Sequence, residues 1–107
     1  MEKRRIEEMV RGWFIGNFEP SVLKTEQFEV GILTHPAGEK WPSHYHAVAT
    51  EYNVLISGKM MLQGQELITG DIFILHPEEI ADPTFLEDCV VLCVKTPSVK
   101  NDKFIVT

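Results

Sequence analysis

Long apolar runs are missing from this sequence: none approaches the roughly 18–20 residues that a helix needs to span a bilayer. Clustered cations are missing too. Ten Lys and Arg stand against sixteen Asp and Glu, for a net charge of -6. No basic stretch interleaved with aromatics occurs, so nucleic acid is not an expected partner. The amino-terminal Met1-Glu2-Lys3-Arg4-Arg5 runs into Ile6-Glu7-Glu8. Those glutamates break any apolar signal region, and the expected location is the cytoplasm. Cysteine is scarce: Cys89 and Cys93 are the only two. In an extended Asp-Cys-Val-Val-Leu-Cys-Val run their Cα atoms lie roughly 13 Å apart, beyond the limit of about 7 Å for a disulfide. They are expected as free, buried thiols on one face of a strand, in a reducing compartment. Internal repeats, low-complexity tracts and linkers are absent. So is any long apolar helical segment, which excludes the α/β nucleotide folds.

What remains is enough for one domain over residues 1–107, with 44% hydrophobic residues and a workable core. Ile6, Met9 and Val10, followed by Gly12, predict a short N-terminal amphipathic helix or surface arm in which Glu7 and Arg11 are spaced to pair. From Trp13 onward the signals are β. Strands are expected at Trp13–Ile15, Gln27–Thr34, Tyr52–Ile56, Asp71–Leu75, Cys89–Lys95 and Phe104–Val106. A hairpin is expected between Lys59–Leu62 and Glu66–Ile68 across Gln63-Gly64-Gln65. Short strands separated by turn residues at near-regular spacing predict an all-β sandwich or barrel.

The chemistry concentrates between Gly38 and Gly58. His44 and His46 are two residues apart, so on a strand they share a face, with Cα atoms about 7 Å apart. Two imidazoles so placed can converge on one metal ion. Tyr45 between them should point the other way. Glu51 lies at an odd offset from His46, so Ala47 to Thr50 must turn or bulge if Glu51 is to join them, and Pro42 suits the strand entry. A lone His-X-His is more often a wet pair on a sheet surface; the added glutamate and flanking glycines favour the metal reading.

The pattern Gly38-x5-His44-x-His46-x4-Glu51-x6-Gly58 resembles the first motif of the cupin superfamily, with every fixed position filled. The second motif is degraded. Gly70-Asp71 begins it and Pro77 fits, but Glu78 stands at the glycine position and Ala81 where such sequences carry a further histidine ligand. The likeness spans about residues 28–95. It implies a double-stranded β-helix, a jelly-roll barrel holding one divalent metal (Fe, Mn, Zn or Ni) in its mouth, a small-molecule ligand and a homodimer. The implied ligands are His44, His46 and Glu51. Asp82 becomes a fourth if a bulge before Pro83 turns it inward. The set of two histidines and one carboxylate resembles the facial arrangement of a non-haem metal-dependent oxygenase, with positions open for substrate and oxygen, and adding Asp82 makes a harder site that tilts toward Mn or Fe. A sugar isomerase or epimerase and a non-catalytic ligand-binding protein are the other classes the resemblance admits. No residue stands out as a general base. His76 at a strand end is a candidate replacement ligand or acid–base group, although a rim histidine is the plainer reading. Tyr52 and Trp41 are candidates for the mouth, with packing the default for aromatics. Lys95 shares a face with Cys89, Val91 and Cys93; if that face is interior it can meet a substrate carboxylate or phosphate, and otherwise it marks a strand end. His35, before Pro36, is expected on the surface.

Overall fold

Side chains on a strand point alternately to opposite faces, and in this chain that alternation sorts the core from the surface. The computed structural model describes residues 1–106. Its strands are β1 (Trp13–Ile15), β2 (Glu29–His35), β3 (His44–Tyr45), β4 (Thr50–Ser57), β5 (Lys59–Leu62), β6 (Gln65–Ile68), β7 (Ile72–Leu75), β8 (Thr84–Phe85), β9 (Cys89–Thr96) and β10 (Phe104–Ile105). Five of them form one sheet in the order β1-β2-β9-β4-β7; β6-β5-β8 form a second, and β10-β3 a two-stranded third. The named neighbours pair antiparallel throughout. Leu55, Leu75, Cys89 and Val91 from the large sheet meet Met60, Leu62 and Phe85 from the smaller one in a single apolar cluster, joined by Ala81. This is the double-stranded β-helix expected from the sequence. The barrel differs in one respect: no sheet closes on itself among the described residues, and facing sheets enclose the interior.

Register stacks the inward residues into rungs. Glu51 of β4 lies between Lys95 of β9 and Leu75 of β7, Asn53 between Cys93 and Phe73, and Leu55 opposite Val91. The interior is therefore apolar at one end and charged at the other. Both cysteines are free and buried on this inward face, as their spacing predicts. A bulge between Leu55 and Ser57 precedes Gly58. Gly58 has φ of 103°, and a Cβ there would come within 2.4 Å of the Asp88 carbonyl oxygen, so only glycine lets the chain turn from β4 into β5.

The N-terminal segment holds the short turn expected there, a single 3-10 turn at Ile6–Glu8. Two local expectations need correction. The ion pairs of that segment are Arg4–Glu8 at 2.8 Å and Arg5–Glu7 at 3.0 Å in place of Glu7–Arg11. The β5–β6 hairpin turns on two residues, because Leu62 pairs with Gln65, and both Gln63 (φ 51°) and Gly64 (φ 74°) take positive φ.

Candidate functional site

His44, His46 and Glu51 line one cavity of about 710 Å³ between the sheets. β3 places His44 on the interior side, where it exchanges backbone hydrogen bonds with Ala81: His44 N–H to Ala81 O at 2.9 Å and Ala81 N–H to His44 O at 2.7 Å. Tyr45 turns away and stacks on Phe104, with ring centres 5.4 Å apart. The chain then leaves the strand and turns before β4 begins at Thr50. The buried Asp102 makes this turn. Its carboxylate accepts the N–H groups of Ala47 (3.0 Å), Val48 (3.1 Å) and Ala49 (2.9 Å). The odd offset between His46 and Glu51 is absorbed there, and both side chains reach the cavity.

Backbone carbonyls orient the two imidazoles. His44 donates Nδ1–H to the Pro42 carbonyl at 3.0 Å, and His46 donates Nδ1–H to the Asp102 carbonyl at 2.6 Å. A carbonyl only accepts, so each Nδ1 carries a proton and each Nε2 faces the cavity. The ring centres are 5.8 Å apart. His46 Nε2 lies 2.8 Å from Glu51 Oε2. A lone pair cannot face a carboxylate at that distance, so a proton or a metal ion belongs between the two atoms. Glu51 Oε1 accepts from Asn53 Nδ2 at 3.4 Å and from Cys93 Sγ at 3.5 Å.

Electrostatics follows from these contacts. Burial raises the Glu51 pKa, but the His46 hydrogen bond, the Lys95 charge and Asn53 outweigh it and hold the carboxyl at about 2. Burial lowers the His44 pKa more than the Pro42 carbonyl raises it, which favours the neutral, lone-pair-bearing ring. Burial and then the charge of Glu51 push Cys93 far up, so it is a thiol donor and no nucleophile.

Donor chemistry fits a divalent cation: two Nε2 atoms and a carboxylate, with both Nδ1 groups held by backbone carbonyls as in metal-binding histidines. Among the described residues, however, no group of three or more His, Cys, Asp or Glu is gathered closely enough to hold a metal ion as it stands.

Other candidates separate cleanly. Lys95 lines the cavity, its ammonium 4.8 Å from the centre of the Trp13 ring. Asp82 stays outside the cavity, exposed, with Oδ1 accepting the Gln63 N–H at 2.8 Å to brace the β5–β6 turn. His76 is exposed after β7, and its backbone N–H binds Glu79 Oε1 at 3.0 Å. Tyr52 is 46% exposed on the outer face of the large sheet, because it alternates with Glu51 and Asn53. His35 corrects its surface assignment. It ends β2 on the interior side, stacks on Phe85 at 4.0 Å between ring centres and pairs with Glu39. Trp41 lines the cavity as well. Sequence reasoning missed Asn53, Asp102 and Lys103. Period-two alternation from Glu51 could have found Asn53; the other two arrive from the far end of the chain and had no local signal.

No family model matches the chain, and no curated protein matches it. Solved structures do. The DMSP lyase DddQ from Ruegeria pomeroyi DSS-3 superposes with a TM-score of 0.72 at 17% identity, over 88% of this chain and 49% of that one. This chain thus spans about half the length of the lyase. An uncharacterized conserved protein with a double-stranded β-helix domain from Klebsiella pneumoniae subsp. pneumoniae MGH 78578 superposes with a TM-score of 0.71 at 21% identity, over 97% of this chain and 90% of that one. The polyketide cyclase RemF from Streptomyces resistomycificus gives 0.68 at 19% identity, over 78% of this chain and 63% of that one. These likenesses show the fold, and the fold defines the class: the chain has the cupin architecture.

Proposed function

We propose that this chain is a metal-dependent, small-molecule cupin that acts as a homodimer, with His44, His46 and Glu51 as the protein ligands of one divalent ion and the adjoining cavity as the substrate site. One observation carries the reading. The Nδ1 of His46 is committed as a donor to Asp102, yet its Nε2 faces the Glu51 carboxylate at 2.8 Å. That pair demands a cation between its members, and a divalent ion competes there with the proton. His44 adds a second Nε2 with its own Nδ1 already engaged. When bound, such an ion supplies Lewis-acid polarisation of a substrate oxygen. Around it Asn53 and Cys93 keep the Glu51 carboxylate oriented, and the apolar wall below excludes water.

Non-oxidative chemistry on a small organic substrate is the version we favour. Two of the structural neighbours are named for such reactions, a lyase and a cyclase. The oxygenase suggested by the ligand set is the second version. It draws on Ala81, which lines the cavity beside His44 where a fourth ligand would otherwise fill the coordination sphere.

Metal analysis of tag-free protein tests the core of this reading. Wild type should carry close to one divalent ion per chain and His46→Ala should lose most of it. Equal metal in the two proteins would refute the assignment of ligands. Oxygen uptake after anaerobic loading with Fe(II) separates the oxidative version from the other.

A further inference from the structure

The cavity wall carries three carboxylates, Glu7, Glu39 and Glu51, and three cations, Arg11, Lys95 and Lys103. Every one of the carboxylates has a partner: Glu7 pairs with Arg5 at 3.0 Å, Glu39 with His35, and Glu51 with His46 at 2.8 Å. None of the three cations forms an ion pair among the described residues. Lys95 stands in register between Glu29 and Glu51 and closes on neither. Both lysines instead rest on aromatic faces, Lys95 over Trp13 at 4.8 Å and Lys103 over Trp41 at 4.0 Å. In a chain of net charge -6, positive charge outside any direct ion pair is thus gathered at the polar end of this cavity. Cation–π contact positions an ammonium but leaves N–H donors free for an anion. Burial, then the charges of Lys95 and Arg11, lower the Lys103 pKa, so these cations feel one another. Below them the wall is apolar, with Leu62, Phe85 and Val91.

We propose that the cavity takes an amphipathic organic anion, its carboxylate or phosphate lying between Lys95 and Lys103 and its apolar body reaching toward Leu62, Phe85 and Val91. The proposal rests on the small-molecule reading above and names the substrate class for the same site. Charge-assisted hydrogen bonds to two ammonium groups supply the head-group recognition, and the apolar wall supplies the rest.

The two lysine-bearing rings are also the only tryptophans in the chain, which makes indole emission a direct reporter. Metal-stripped, chelator-free protein is titrated with hexanoate, hexyl phosphate and hexanol. A saturable emission change is expected with hexanoate or hexyl phosphate, and the tighter of the two names the head group. Hexanol should bind roughly tenfold more weakly or not at all, and Lys95→Gln and Lys103→Gln should each weaken the anion by roughly tenfold. Lys103 is exposed, so its variant removes no buried side chain and carries the test if Lys95→Gln fails to fold. Hexanol binding as tightly as the anions, a folded lysine variant binding like wild type, or no response to any probe would overturn the proposal. Because no metal is present in the titration, its failure is separate from failure of the ligand assignment, which the metal content of His46→Ala decides.

Discussion

Burial alone would lift the Glu51 carboxyl above the ordinary glutamate value, yet its neighbours hold it at about 2. The folded value lies below the reference of 4.5, so ionised Glu51 favours the folded state above about pH 4.5, and that contribution fades as pH falls toward about 2. A shift of this size corresponds to roughly 3 kcal/mol. In metal-free protein, Glu51→Gln should therefore flatten the acid limb of stability against pH over that interval. Urea midpoints measured across the interval check it; a variant as acid-sensitive as wild type would mean that other carboxylates set the limb. Ala81 poses the complementary question. It is buried, lines the cavity and is bridged to His44 through the backbone. Ala81→His should add a third imidazole and raise metal affinity at least about tenfold. Competition against a chelator measures this, and an unchanged affinity would place the bound ion away from position 81.

The turn between β3 and β4 is the element on which the site depends. Its three N–H groups end on one buried carboxylate, and the backbone carbonyl of the same residue, Asp102, orients His46. Asp102→Asn removes an acceptor and sets an NH2 group against N–H donors, at a cost of about 2–3 kcal/mol. The melting temperature should fall accordingly, and metal affinity should drop by about 10–100-fold as His46 loses its fixed orientation. A variant with lowered stability and wild-type metal affinity would uncouple the turn from the histidine. The same element shows what the sequence could disclose. His44, His46 and Glu51 sit in one local segment, and strand periodicity with an odd offset is enough to require a turn between them. Period-two alternation likewise predicts Cys89, Val91, Cys93 and Lys95 on one face. Nothing local reveals that Asp102, 53 residues from Ala49, closes the turn, or that Lys103 comes over Trp41. Those are long-range consequences of β10 pairing with β3. Asp82 neighbours the position of the missing ligand in sequence, but Ala81 and Pro83 on either side of it line the cavity, and the Asp82 side chain between them turns away to brace the β5–β6 hairpin.

At the scale of the whole molecule, the outer face of the large sheet stands out. Alternation that sends Glu51, Asn53 and Leu55 inward sends Tyr52, Val54 and Ile56 outward, beside Ile72 and Ile74 on β7, Leu92 and Val94 on β9, and Val30 and Ile32 on β2. No charged residue interrupts these outward positions, although the chain has 26 charged residues (16 + 10) to distribute. Ile72 is 72% exposed, Ile56 49% and Tyr52 46%. A monomer rarely leaves an apolar patch of this extent in water. A twofold-related copy of the same face would cover it with matching apolar groups, the self-complementary arrangement of a C2 dimer. We expect sedimentation equilibrium to give a dimer for wild type. Ile74→Glu should shift it toward monomer by roughly a hundredfold or more in Kd, because symmetry buries two carboxylates for one substitution. Ile74 points outward and is 43% exposed, so the substitution leaves the interior untouched and the cavity should still bind its ligand. A wild-type protein that stays monomeric at the highest concentration reached would leave this face to some other cover. A variant as dimeric as wild type would move the interface to a different surface.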